Sequence, residues 1–304
     1  MHPVTDHNIR LVALDIDGTL SDTQYRIPAA NRQAVQDLHD AGLIVVLATG
    51  RRFSSAIRFA RAVGVTAASI FQNGAVIKDV RSRHLVFWQG LSPALVHHVL
   101  KVGRAEGFSP LVFFGPEGPG RILLEERRLN HCPLDAYLMR SWDDVVVIPR
   151  LAETSLSHVV QVMFCGPVAE MRRLADGLRG RLGQDANIFL TEYPQRDLTL
   201  LDVMHYSVSK GDALRRVADL YGVPLRQTAA IGDNFNDLEM LQAAGRGLVM
   251  GNADETLRAR FPAVLPDCAA AGVAWGIWRH ILPRADRLAD WFPEQYRRGK
   301  EKHG

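Results

Sequence analysis

Apolar residues recur along this chain in two rhythms. From residue 9 to 72, near-continuous apolar runs alternate with segments whose apolar positions fall at helical spacing. The runs are "IRLVALDI", "LIVVLATG" and "AASIFQ", the pattern of strands buried on both faces. Between them, "AANRQAVQDLHDAG" places Ala30, Val35 and Leu38 on one helical face and stops at Gly42, and "SSAIRFARAVG" stops at Gly64. This β-α-β-α-β order predicts a parallel sheet with right-handed crossovers.

The rhythm changes near Gly74. "GAVIKDVRSRHLVFWQ" reads as a hairpin, two apolar stretches separated by turn-forming polar residues. A helix is expected from Pro93 to Glu106, then extended segments at "PLVFF", "GRILLEE" and "SHVVQVMFC", and an amphipathic helix at "VAEMRRLADGLRGRL". The first rhythm returns after about residue 196. "LTLLDVM", "TAAIGD" and "GLVMG" read as strands, and "SKGDALRRVADLYG" and "DLEMLQAAG" as helices, with "ADETLRARF" and "AGVAWGIWRHIL" closing the fold. The expected architecture is α/β. Residues 1–80 and 191–285 supply a parallel-sheet core in two parts, 81–190 an inserted α+β module, and 286–304 a polar tail.

A length of 304 residues agrees with two domains, and 47% hydrophobic with 23% charged residues is a globular composition. The formal charge of +3 adds little. Basic clusters at 51–61, 121–128 and in "YRRGKEKHG" are mixed with acids or apolar residues and form no stripe with interleaved aromatics, so no nucleic-acid partner is expected. Cys132, Cys165 and Cys268 contain no CxxC pair, which suits a reducing compartment and argues against a disulfide framework. "MHPVTDHNIR" has no apolar leader core, and no apolar run is long enough to span a bilayer. A cytoplasmic monomer or homodimer without membrane contact is the expectation.

Chemistry concentrates at strand ends, where open parallel sheets bind ligands. The first strand ends in Asp15-Ile16-Asp17-Gly18-Thr19 and the second in Thr49-Gly50-Arg51; a later helix opens near Lys210, and a later strand runs into "GDNFND" with Asp233 and Asp237. Carboxylates crowded together need a cation between them or a retained proton. Mg²⁺ suits such a place, because it takes hard oxygen ligands, one or two carboxylates at a time, together with a substrate phosphate. Asp15 and Asp233 can supply those carboxylates and Asp17 its backbone carbonyl. Thr49 and the Gly50 amide can hold phosphate oxygens while Lys210 neutralises charge on the transferring group.

"DIDGT", "ATGR", the lysine of "SKGDAL" and "GDNFND" resemble the four motifs of the haloacid dehalogenase superfamily, and "FQNGAVI" and "AAIGDNFNDLEMLQAAGRGLVMGNA" resemble its Cof-type branch. The resemblance implies a Rossmann-like core with an inserted α/β cap that sets substrate specificity. It implies Asp15 as a nucleophile forming an aspartyl-phosphate, and Asp17 as the acid and base. Mg²⁺ would be held by Asp15, Asp17 and Asp233 with support from Asp237, and phosphate by Ile16, Thr49, Gly50, Lys210 and Asn236. Where the family often carries Asn-x-x-x-Gly-Val-Ala, this chain reads "LPDCAAAGVAW", so no extra polar contact from that loop is expected.

The implied function is a Mg²⁺-dependent phosphatase of small phosphate monoesters, sugar phosphates or similar phosphometabolites. A phosphosugar mutase and a non-catalytic phosphometabolite-binding regulator are the alternatives. His97-His98 and His131-Cys132 lack the second pair of ligands a zinc site needs. Trp275 and Trp278 sit at helical spacing and read as core. No glycine pattern stands where a dinucleotide fingerprint or P-loop would require it.

Overall fold

In the computed structural model, which describes residues 8–117, 120–126, 144–193, 196–292 and 294, strand β1 (Leu11–Leu14) is fully buried on both faces. Its alternate residues divide as a two-residue period demands: Val12 and Leu14 join one apolar cluster, Leu11 and Ala13 another. Helix α1 (Ala29–Asp40) leads to β2 (Ile44–Leu47), and α2 (Phe53–Ala62) to β3 (Ala68–Phe71). Strands β4 (Val76–Asp79) and β5 (Leu85–Trp88) then form the expected hairpin. They extend β3 as a three-stranded antiparallel sheet, whose single parallel bridge to β2 runs from Ile70 to Ala48.

The chain next builds a second sheet. Helix α3 (Pro93–Ala105) is followed by β6 (Leu111–Phe114), β7 (Arg121–Leu124), β8 (Val145–Val147) and β9 (Val159–Gly166). Helix α4 (Val168–Leu182), β10 (Ala186–Tyr193) and β11 (Leu198–His205) complete it. The six strands lie in the order β10-β11-β9-β6-β7-β8. One face packs against α3 and α4 through Val112, Val162, Phe164, Leu201 and Val203, while Phe113, Met163, Cys165 and Leu198 turn toward the core.

The core then resumes with α5 (Lys210–Leu220), β12 (Thr228–Gly232), α6 (Leu238–Ala243) and β13 (Arg246–Val249). Its sheet is parallel throughout, in the order β13-β12-β1-β2. This is a Rossmann-like core with an inserted cap.

Three expectations change. The segment 198–204 does not reopen the core, because β11 pairs antiparallel with β9 and β10 in the cap sheet. An apolar run shows that a strand is buried but not which sheet takes it. Conversely, β5 lies beyond residue 80 yet stays on the core side through its hairpin with β4. The tail is also apolar at its start: Ala285–Trp291 is helical, and Leu288 and Phe292, four residues apart, are buried against the core. The rest of the tail, "YRRGKEKHG", and the pair His131-Cys132 lie outside the described residues.

Trp278 is a core residue as expected, fully buried with its indole N–H donating to Asp37 at 2.9 Å. His97 turns back on its own helix, its Nδ1 2.6 Å from the Pro93 carbonyl oxygen. Cys165 is disulfide-bonded and Cys268 is free and buried. Wide sequence spacing had argued against a disulfide framework, but pairing depends on approach in space.

Candidate active site

Two strand tips place the acids. The register of β1 against β12 sets Leu14 opposite Ile231, so Asp15 and the turn after Gly232 leave the sheet side by side. Asp15 is buried, its backbone N–H donating to the Ile231 carbonyl at 3.0 Å. Asp15, Asp233 and Asp237 each offer a carboxylate oxygen, all within 4.8 Å of one another. Lys210, at the first turn of α5 behind the Ser209 N-cap, brings its ammonium 2.6 Å from Asp15 Oδ1 and 2.6 Å from Asp237 Oδ1. Its side chain is only 1% exposed.

Glycines permit this crowding. Gly18 has a left-handed backbone, φ 81°, and any side chain there would strike the Asp233 carboxylate. Gly74 has φ 105° and lies against the carbonyl of Ser209, so the turn after β3 seats the start of α5.

The electrostatics follow from burial. Desolvation pushes the Asp15 carboxyl up to about 7; Lys210 opposes that rise, while Asp237 and Asp17 add to it. Asp233 is raised well above the carboxylate range, by burial first and then by Asp15 and Asp237, against the pull of the Thr19 hydroxyl and Lys210. Burial works against the Lys210 ammonium, but Asp15 and Asp237 outweigh it and hold the proton more tightly than usual. With all three carboxylates ionised, the one ammonium would leave a charge of −2 at this site. That balance and an all-oxygen donor set fit a hard divalent cation.

The carboxylates are not equivalent within that set. Asp237 is fully buried, with Oδ1 on Lys210 and Oδ2 accepting the N–H groups of Asp233 and Asn234 at 3.0 Å each. It closes the "GDNFND" turn. Asp233 accepts from Thr19 Oγ1 at 2.7 Å and faces Asn252, whose amide donates to the Gly18 carbonyl at 2.9 Å. The "LPDCAAAGVAW" loop adds the Cys268 N–H, which donates to Asn252 Oδ1 at 2.9 Å.

Asp17 is held elsewhere. Arg51 grips it with two hydrogen bonds of 2.7 and 2.6 Å, and the guanidinium packs over the rings of Tyr25 and Phe59 at 5.2 and 5.0 Å. Arg51 stands in the "ATGR" motif, but an arginine at a strand end reads as a generic phosphate or surface group. Its pairing with Asp17 becomes visible only when β1 and β2 lie side by side. Thr49 is buried, and its hydroxyl accepts from the Arg51 N–H at 3.1 Å. Gly50 follows it at the tip of the same loop. Ile16 is buried with its carbonyl taken by Ser21, which leaves a backbone N–H as its means of meeting phosphate. Asn236 donates to Asn73 Oδ1 at 2.9 Å, and its own Oδ1 is buried without a partner among the described residues. Thr19, Arg51, Asn73 and Asn252 are the neighbours that motif reading left without roles.

Comparison with known proteins agrees with this geometry. The sequence profile of the haloacid dehalogenase-like hydrolases matches residues 12–277. The chain belongs to that family, in its Cof-type branch. It is 28% identical over 295 residues to the phosphatase YwpJ of Bacillus subtilis, covering 90% of this chain and all of that one. It is 30% identical over 246 residues to an HMP-PP phosphatase of Enterobacter sp., covering 80% and 85% of the two chains. Among solved structures, a haloacid dehalogenase-like hydrolase from Bacteroides thetaiotaomicron superposes with a TM-score of 0.75 at 23% identity, over 89% of this chain and 99% of that one. This Cof-type hydrolase is a phosphoric monoester hydrolase. Among the described residues, no helix is long and apolar enough to cross a membrane.

Proposed function

We propose that the chain is a Mg²⁺-dependent phosphatase of small phosphorylated metabolites, sugar phosphates or compounds like them, acting in the cytoplasm through an aspartyl-phosphate on Asp15. The observation that carries this reading is the set of buried Asp15 and Asp237 and half-buried Asp233, with a single ammonium, Lys210, between two of them. Asp15 and Asp233 would hold Mg²⁺ with the Asp17 carbonyl, and Asp237 would brace them. The ion, when bound, supplies charge that lets an anionic carboxylate approach an anionic ester.

In the first half-reaction an Asp15 oxygen bonds to phosphorus as the ester P–O bond breaks, and Asp17 gives its proton to the departing alkoxide. In the second, Asp17 takes a proton from water, the water oxygen bonds to phosphorus, and the bond to Asp15 breaks to release inorganic phosphate. Arg51 donates to one lone pair on each oxygen of Asp17, so each proton transfer uses a remaining lone pair of that carboxyl. Thr49, the N–H groups of Ile16 and Gly50, Asn236 and Lys210 would hold the phosphoryl oxygens. Relatives named for small phosphorylated compounds support the substrate class.

A panel of phosphate monoesters assayed for inorganic phosphate, with chelator and with restored Mg²⁺, tests this reading. Turnover is expected to vanish with chelator and return with Mg²⁺. Undiminished turnover in excess chelator would refute the metal reading. A product that keeps its phosphate on a sugar, with no inorganic phosphate, would identify a mutase instead.

A further inference from the structure

Two adjacent residues, Gln72 and Asn73, grip the candidate phosphate loop with their backbones and the cap with their side chains. The Gln72 N–H donates to the Arg51 carbonyl and the Asn73 N–H to the Thr49 carbonyl, each at 3.0 Å, so the loop from Thr49 to Arg51 is clasped along its length. Asn73 also lies against Gly50, where an added Cβ would sit 3.1 Å from Asn73 Oδ1. In the other direction, Gln72 Nε2 donates to Gln161 Oε1 of β9 at 3.1 Å, and Asn73 Nδ2 to Asp202 Oδ2 of β11 at a long 3.5 Å. Gln161 Nε2 in turn donates to Asp202 Oδ1 at 2.7 Å. All four side chains are buried, none more than 6% exposed.

Several features say that this network does more than fill space. Gln72 and Asn73 both hold left-handed backbones, φ 48° and 53°, which non-glycine residues rarely adopt and which persist only where surroundings over-determine them. Asp202 lies on the core-facing row of β11 with Leu198, Leu200 and Met204, where packing alone would favour another apolar residue. A carboxylate there also fixes the direction of every bond. When ionised it can only accept, so Gln161 and Asn73 must both turn their NH₂ groups toward it. Their oxygens then face away, Gln161 Oε1 to Gln72 and Asn73 Oδ1 to the Asn236 amide.

We infer that Gln161 and Asp202 of the cap are positioning residues. Through Gln72 and Asn73 they hold the Thr49–Arg51 loop and Asn236 in the geometry that receives phosphate. The inference rests on the reading of that loop as the phosphate site. It makes cap placement and phosphate affinity one property, carried by a two-residue joint.

Asp202→Asn is the discriminating variant, because it keeps shape and removes one acceptor. The new NH₂ would face Asn73 Nδ2 or Gln161 Nε2, donor against donor in either orientation, and flipping Asn73 would set its NH₂ against that of Asn236. At about pH 8, with Mg²⁺ present, inorganic phosphate binding is measured by titration calorimetry, turnover with p-nitrophenyl phosphate, and folding by thermal melting. The expected result is an unchanged or higher melting point with phosphate affinity weakened ~10-fold or more, and a KM raised more than kcat is lowered. In an Asn73→Ala background, the same change should cost under about two-fold, since residues acting in series are not additive. Affinity within about two-fold of wild type, or losses that simply add in that background, would overturn the inference. A wild type that binds phosphate without cleaving the ester would defeat the phosphatase reading and leave the binding comparison to judge this one.

Discussion

Lys210→Met tests how the buried acids are held together. The ammonium lies 2.6 Å from a carboxylate oxygen of Asp15 and of Asp237, with its side chain 1% exposed. At that separation and an effective dielectric near 20, each attraction is worth about 6 kcal/mol before desolvation is counted. Experience with broken buried pairs lowers the net cost to ~3–5 kcal/mol, since an orphaned carboxylate relaxes or takes up a proton. Methionine nearly matches the lysine stem, so the loss reports on charge and not on a cavity.

The pH dependence has a definite sign. Asp15 already titrates near 7 in the folded chain, above its ordinary 3.8, and removing Lys210 must raise it further. An acid whose pKa rises on folding binds more protons when folded, so stability falls as pH climbs from the unfolded toward the folded value. Each extra proton so held steepens the fall by about 1.4 kcal/mol per pH unit. Urea unfolding in chelator should show the full loss near pH 8 and a much smaller one near pH 5.5, where Asp15 is protonated. Adding Mg²⁺ should stabilise the variant more than the wild type, because the cluster then carries three uncompensated carboxylates. A loss below ~1 kcal/mol at pH 8, or one equal at both pH values, would refute this account of the cluster.

Asp17→Asn should lower turnover of alkyl phosphates by ~10²–10⁴-fold while an activated aryl phosphate loses less in its first step, and rapid-quench labelling should then trap phosphate on the protein; equal losses without trapped label would exclude Asp17 as the acid. Gly74→Ala should cost ~1–3 kcal/mol in chemical unfolding, because φ 105° and the Ser209 carbonyl both oppose a side chain; a neutral effect would mean that the start of α5 is not seated there. Burial pushes Asp202 from 3.8 to about 7, a penalty absent below the unfolded pKa and fully developed above the folded one. The stability of Asp202→Asn relative to wild type should therefore rise between about pH 4 and 7, by at most ~4 kcal/mol, and a difference flat in pH would contradict it.

The core was legible because buried parallel strands and helices leave different periodicities, and because a strand tip crowded with Asp15 and Asp17 is costly without a purpose. The cap's helices and half of its strands were legible for the same reason, but the short β8, the edge strand β10 and the sheet that takes β11 had no counterpart in the pattern. Strand β10 alternates weakly, each of its residues half-buried at a sheet edge, so "ANIFLTEY" shows no clear face. The sheet that β11 joins depends on partners about 40 residues away in β9, which local apolarity does not encode. The site divides likewise. Charged motif residues announce themselves, whereas Asn73, Gln161 and Asp202 act through contacts 41 to 163 residues apart along the chain and look individually ordinary.

The register of β1 on β12 bears on how the candidate metal site comes to exist. Asp15 follows Leu14 directly, Asp233 follows Gly232, and the pairing of Leu14 with Ile231 fixes their approach before any ion arrives. Asp237 then secures the turn by accepting the Asp233 and Asn234 N–H groups, and Thr19 fixes one Asp233 oxygen. Backbone pairing and neutral donors thus orient carboxylates that would otherwise repel one another. Mg²⁺ demands near-ideal geometry and tolerates little rearrangement, so a site oriented by sheet register suits it better than one gathered from loops. The same arrangement ties ion binding to the integrity of the β1–β12 pair. An ion that binds the folded chain and not the unfolded one stabilises this pairing by mass action, which links the metal affinity of the tips to the stability of the sheet beneath them.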